Sequence, residues 1–96
     1  MIICVAGKNH VASEGLKIIN NLYGKKHEIV FISGQEDPDG WQPSLRKTGN
    51  DLGILEVKIE DLYTIEDLIL ISLEYPKILR TKKFKTKKFS LFENSH

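Results

Sequence analysis

Three stretches of this chain are apolar with almost no alternation, and they constrain its fold more than anything else. They are Ile2–Ala6 ("IICVA"), Glu28–Ser33, built around Ile29, Val30, Phe31 and Ile32, and Leu68–Leu73 ("LILISL"). A strand with one face in water alternates apolar and polar residues. A strand that is apolar throughout is covered on both faces, which is the condition of a parallel sheet. Parallel strands need crossovers, and the intervening sequence supplies them. Between Val11 and Leu22 the apolar positions recur at spacings of three and four, so they form one stripe of a helix. Asn9 is the expected N-cap and Gly24 the expected stop. Gly15 in mid-helix costs about 1 kcal/mol relative to Ala. Close approach of the helix to a neighbouring strand would explain it.

The stretch "SGQEDPDGWQPS" is a long loop, broken by Gly34, Pro38, Gly40 and Pro43. Ser44–Leu52 reads as a short helix, Gly53–Ile59 as a third strand, and Asp61–Asp67 as a turn or short helix. Alternating strands and helices give right-handed crossovers and an α/β architecture with helices flanking a parallel sheet. After Leu73 no period is sustained, so the sheet is expected to stop after about four strands. Residues 1–76 are read as the folded body and 77–96 as a basic connector or tail. A sheet ending there would leave the neighbours of Leu73 and the later phenylalanines exposed, and the chain prone to associate through the open edge.

At 96 residues, the chain is one domain at most. Its 41% hydrophobic and 28% charged residues are ordinary for a globular protein. No apolar run approaches the ~20 residues of a membrane span, and the first residues lack the pattern of a secretory signal. The lone Cys4 cannot form an internal disulfide and reads as a small core residue in a reducing cytoplasm. The net charge of +1 hides an asymmetry. Residues 77–96 hold seven Lys or Arg and one acid, a sum of +6, so residues 1–76 carry −5. The basic tail could contact nucleic-acid phosphates with its phenylalanines stacking on bases. The acidic body argues instead for a solvated connector. His10, His27 and His96 are far apart and one Cys cannot complete a zinc site, so no metal is expected.

Ligands of open parallel sheets bind beyond the carboxyl ends of the strands, near where strand order reverses. The first such end is "GKNH". Gly7 allows a sharp turn, the following helix offers free N–H groups, and Lys8 adds a positive charge, a combination that suits a phosphate. Trp41, in a loop of Gly, Pro and Asp, could stack on a nucleobase or lie as a lid on the core edge. Glu74 and Lys77 flank Tyr75 and Pro76 at the last strand end and could equally form a surface ion pair.

Taken together, "MIICVAGKNHVA", "DGWQPSLRK", "LYTIEDLILISLEYPKIL" and "KFKTKKF" resemble the N-terminal part of bacterial sugar N-formyltransferases, relatives of methionyl-tRNA formyltransferase. The likeness runs through nearly all of residues 1–88. It implies a Rossmann-like domain, often followed by a dimerisation region. It also implies transfer of a formyl group from N10-formyltetrahydrofolate to the amino group of a dTDP-linked 4-amino-sugar, typically for surface polysaccharide. The sugar nucleotide would be held by Lys8 and Asn9 after strand one, Trp41 and Gln42 in the long loop, and Glu74 and Lys77 after strand four. The family's catalytic core is an Asn-x-His pair on a strand with a later Asp. By this resemblance His96 is the general base and Asn94 steadies the oxyanion. The chain departs from the pattern at Glu93, where the family has an apolar residue. The orienting Asp and the folate loops do not occur in it. The resemblance therefore implies part of a longer protein, or a reading frame ended early, inactive by itself. Two other readings stay open: a non-catalytic nucleotide-binding or protein-interaction module, and a small nucleic-acid binder.

Overall fold

In the computed structural model, residues 1–34, 44–75 and 80–92 are described, Leu91 and Phe92 by backbone alone. The elements run β1 (Ile2–Gly7), α1 (Asn9–Tyr23), β2 (Glu28–Ser33), α2 (Leu45–Asp51), β3 (Leu55–Glu56), a 3-10 turn (Ile59–Leu62), β4 (Leu68–Leu73), a second 3-10 turn (Thr81–Lys83) and β5 (Lys88–Phe92). All strand pairs are parallel, in the order β3-β2-β1-β4-β5. This is a Rossmann-like α/β sheet.

The unbroken apolar character of β1 follows from its central place. Ile3 and Val5 face one side of the sheet and pack with Ala12 and Leu16 of α1, Phe31 of β2 and Leu45 of α2. Cys4 and Ala6 face the other side and pack with Val30, Leu62, Leu70 and Phe84. Both sets are essentially removed from water. No polar residue on β1 could have avoided burial. Burial pushes the Cys4 thiol well above its ordinary range, so it stays protonated and packs as a small apolar group.

Gly15 has the explanation its position demanded. A Cβ there would collide with Cδ1 of Leu73, so the missing side chain lets α1 settle against β4. The two helices are tied by a buried hydrogen bond of 2.5 Å between the hydroxyls of Ser13 and Thr48. Ser44 caps α2, its Oγ accepting from the Lys47 N–H at 3.2 Å.

Several expectations change. Among the described residues the sheet has five strands, where about four were expected. β5 pairs with β4 from Ile69↔Lys88 to Leu73↔Phe92. Among the described residues of the segment before it, Phe84 and Thr86 are buried rather than solvated. Phe84 is buried, edge-on to Tyr63 at 4.8 Å and to Phe89 at 5.5 Å. Thr86 donates its hydroxyl proton to the Leu68 carbonyl at 2.5 Å. The third strand is two residues long, because the Lys58 N–H turns to the Asp61 carboxylate at 3.1 Å and starts the 3-10 turn. At the head of α1, Lys8 occupies the N-cap position and Asn9 is the first helical residue, with φ 56°. Gly24 ends α1 in a right-handed conformation, its N–H bonded to the Asn20 carbonyl at 2.9 Å. Among the described residues, no helix is long and apolar enough to cross a membrane.

Candidate functional site

From β1 the chain moves by α1 to β2 on one side. From β3 it returns past β1 to β4 on the other. Strand order therefore reverses between β1 and β4, and their carboxyl ends flank the crevice where doubly wound sheets hold ligands. Gly7 and Leu73 are partners in register there. A Cβ on Gly7 would meet the Leu73 carbonyl oxygen and come within 2.6 Å of the Ala12 Cβ. This glycine is what allows the head of α1 to close down on the end of β4. The Gly7 carbonyl accepts from the Gly34 N–H at 2.7 Å, which ties the end of β2 to the same place.

The residues just past these ends are Lys8 and Asn9 on one side and Glu74 on the other. All three are half-buried. Among the described residues, Asn9 and Glu74 are the two non-glycine residues with positive φ, each at 56°. Asn tolerates this conformation and Glu does so at a cost of roughly 1–2 kcal/mol. Strained backbone of this kind clusters where a chain must present a side chain or an N–H in a set direction. Of the residues read from the sequence, the structure thus brings Lys8, Asn9 and Glu74 to adjoining strand ends. Trp41, Gln42, Lys77, Asn94 and His96 lie outside the described residues.

Next to the crevice is a cleft of ≈ 290 Å³, lined by Ile32, Ser33, Glu56, Val57, Lys58, Ile59, Glu60 and Tyr75. It opens beyond the ends of β2 and β3. Tyr75, two residues past β4, forms part of its wall. Burial, with smaller contributions from Cys4, Glu60 and Tyr63, raises the Tyr75 phenol above its ordinary range, so it is a neutral donor. Tyr75 was not read as a site residue from the sequence. Its signal was the place itself, one residue from Glu74 at a strand end. A larger hollow of ≈ 390 Å³ lies between α1 and α2 and has no strand residue in its lining, so it is remote from this chemistry. Arg46 holds Glu56 in a two-pronged ion pair, both N···O distances 2.9 Å, which fixes one rim of the smaller cleft.

No known family profile and no curated protein matches the sequence. Solved structures do. WlaRD, a sugar 3N-formyl transferase solved in the presence of dTDP and 5-N-formyl-THF, is 38% identical with a TM-score of 0.80, over 90% of this chain and 32% of its own. The N-formyltransferase from Helicobacter canadensis, solved with folinic acid and dTDP-3-aminofucose, is 33% identical with a TM-score of 0.82, over 92% of this chain and 34% of its own. The chain spans about a third of the length of these relatives.

Proposed function

We propose that this chain, which matches one third of a sugar N-formyltransferase, contributes the sugar-nucleotide side of such an enzyme. The observation that carries the reading is the pairing of Gly7 with Leu73 at the reversal of strand order. It sets Lys8, Asn9 and Glu74 around one crevice. In this reading Lys8 and the N–H groups at the head of α1 hold the diphosphate, and Glu74 with Lys77 holds the sugar. Trp41 stacks on the thymine, with Gln42 beside it. The sugar is taken as a 3-amino one, since both relatives are described by that position, where the family resemblance implies a 4-amino sugar.

N10-formyltetrahydrofolate supplies the formyl group, held by the two-thirds of the relatives' length that this chain does not cover. His96 takes the proton lost by the attacking amine, and Asn94 hydrogen-bonds the oxygen of the formyl group in transfer. Without a carboxylate to orient His96, the 96 residues alone bind nucleotide but do not transfer formyl. The same reading puts the chain in the cytoplasm, where the thiol of Cys4 stays reduced, and its product in surface polysaccharide.

Titration calorimetry of the chain with dTDP tests this. Binding is expected, weakened roughly tenfold by Lys8→Ala, and much weaker for thymidine, which lacks the diphosphate. Thymidine and dTDP binding equally, or neither binding at millimolar concentration, would overturn it.

A further inference from the structure

The basic stretch ahead of β5 has no part in the nucleotide reading, and the fold gives it a fixed shape. From Arg80 to Lys88, six of nine residues are Lys or Arg and none is acidic. All six, Arg80, Lys82, Lys83, Lys85, Lys87 and Lys88, are exposed. Between them Phe84 and Thr86 are buried. The backbone is held as well. The Lys85 N–H donates to the Tyr63 carbonyl at 3.0 Å, the Phe84 N–H to the Thr81 carbonyl at 3.1 Å, and the Lys88 N–H to the Thr86 hydroxyl at 3.2 Å. Among the described residues none of the six cations is in an ion pair. Lys83 lies over the Tyr63 ring, its Nζ 5.8 Å from the centroid. The result is a stripe of positive charge on an ordered backbone.

The stripe lies at the opposite end of the sheet from the crevice. β5 runs parallel to β4, and Lys88 pairs with Ile69 near the start of that strand. The Thr86 hydroxyl reaches the carbonyl of Leu68, the first residue of β4. Lys85 and Lys87 therefore sit at the amino ends of the strands, roughly 20 Å from the carboxyl ends where Lys8 and Glu74 lie. Acids occur on the same rim. Asp67 is engaged by the Met1 amino group at 3.3 Å, and Glu28 starts β2, three strands away from β5. Glu66 is exposed beside Asp67 and offsets part of the charge.

We infer that this stripe docks the chain on an anionic lipid bilayer, with the crevice facing away from the membrane. Three observations choose this partner. Five of the six cations are lysines, and lysine is a hydrated point charge without the flat fork by which arginine reads phosphates and bases. Phe84 and Phe89 turn inward onto Tyr63 and the core, so neither ring is offered to a base, as binding of single-stranded nucleic acid requires. Between Arg80 and Lys88 no apolar side chain is exposed, so the contact is electrostatic and inserts nothing. Charges of one sign on such a rim suit a surface that offers many anions in no fixed register. Segments of about four to eight Lys or Arg are attracted to anionic leaflets in this way. The inference is independent of the nucleotide reading, since the stripe and the crevice occupy opposite ends of the strands.

Co-sedimentation of the whole chain with lipid vesicles tests this. Vesicles of equal parts phosphatidylglycerol and phosphatidylcholine should bind it at about 0.05 M salt and release it at about 0.5 M, and vesicles of phosphatidylcholine alone should not bind it. Each cation near such a surface strengthens binding about fivefold, so Lys85→Gln/Lys87→Gln/Lys88→Gln should weaken it at least about tenfold. Lys17→Gln/Lys26→Gln/Lys47→Gln removes the same charge from exposed positions elsewhere and should weaken it less than about threefold. The lipid and salt dependence of the unaltered chain reads the inference even if a variant folds poorly. Equal losses in the two variants, or equal binding to both kinds of vesicle, would overturn it. So would tighter binding to an RNA or DNA oligomer than to the anionic vesicles. Displacement from vesicles by dTDP would also overturn it, by placing the stripe in the nucleotide site. The expected result is a dTDP affinity unchanged by vesicles. Failure of the chain to bind dTDP at all would remove the functional reading and leave this one standing.

Discussion

Gly15 of α1 lies flush against the side chain of Leu73 on β4, with no space for a methyl group between them. The obstacle is the far end of a flexible side chain. Gly7 faces the Leu73 backbone carbonyl instead, and Gly49 faces the buried ring of Phe31, where an added Cβ would come within 2.5 Å of the ring Cζ. Gly15→Ala should be nearly neutral in urea unfolding, since a gain of about 1 kcal/mol in helix propensity offsets a shift of Leu73. Gly7→Ala and Gly49→Ala should each cost about 1–3 kcal/mol, because backbone or a rigid ring must move. Equal losses at all three positions would contradict this packing.

The Ser13–Thr48 hydrogen bond is buried between α1 and α2. Thr48→Val leaves the Ser13 hydroxyl without its partner and should cost about 1–3 kcal/mol. Adding Ser13→Ala should recover part of the loss. A double-mutant cycle by denaturant unfolding reads the coupling directly.

Phe84 joins β5 to the body through Tyr63 and Phe89. Phe84→Ala should cost about 3–5 kcal/mol, against a total stability of about 5–15 kcal/mol for a domain of this size. Amide exchange should rise first in Lys88–Phe92 and spare β1. Uniform loss of protection would mean that β5 is integral to the fold.

Hydrogen bonds from Arg46 hold the Glu56 carboxyl below its usual range. A lowered folded-state value gives stability that is present above the unfolded value of about 4.3 and lost as pH falls through the folded one. The pair is largely exposed, so its contribution is about 0–1 kcal/mol. The urea midpoint of Glu56→Gln should lie below that of the wild type near neutrality and merge with it in acid. A gap that widens with falling pH would reverse the sign.

Glu74 carries a conformation that glycine adopts without cost. Glu74→Gly should leave stability unchanged or raise it by up to ~1 kcal/mol. If the side chain holds the sugar, affinity for a dTDP-linked amino sugar should fall while affinity for dTDP itself holds. Loss of both together would make Glu74 a purely structural residue.

The central strands were legible because burial on both faces leaves no choice of residue: Ile2–Ala6 and Leu68–Leu73 can be little but apolar. The crossovers between them made a parallel sheet legible, but that β1 and β4 are neighbours is set by the strand order, which no local pattern states. β5 was hidden because an edge strand needs no continuous apolar run. Its Lys88 and Ser90 sit opposite Ile69 and Ile71, and among its described side chains Phe89 packs against the core. Residues in the crevice were legible in part. Lys8, Asn9 and Glu74 follow strand ends visible in the sequence. The strain at Asn9 and Glu74 is set by tertiary contacts that no local pattern encodes, and so is the place of Tyr75 in a cleft wall.

The position of β1 also sets an order of events during synthesis. It is the first strand made, yet one neighbour ends at Ser33 and the other only at Leu73. At roughly 5–20 residues per second, the nascent chain spends a few seconds with one edge of Ile2–Gly7 bare. Those seconds are when a chaperone would earn its keep, and when crowded ribosomes would risk cross-pairing of newborn chains.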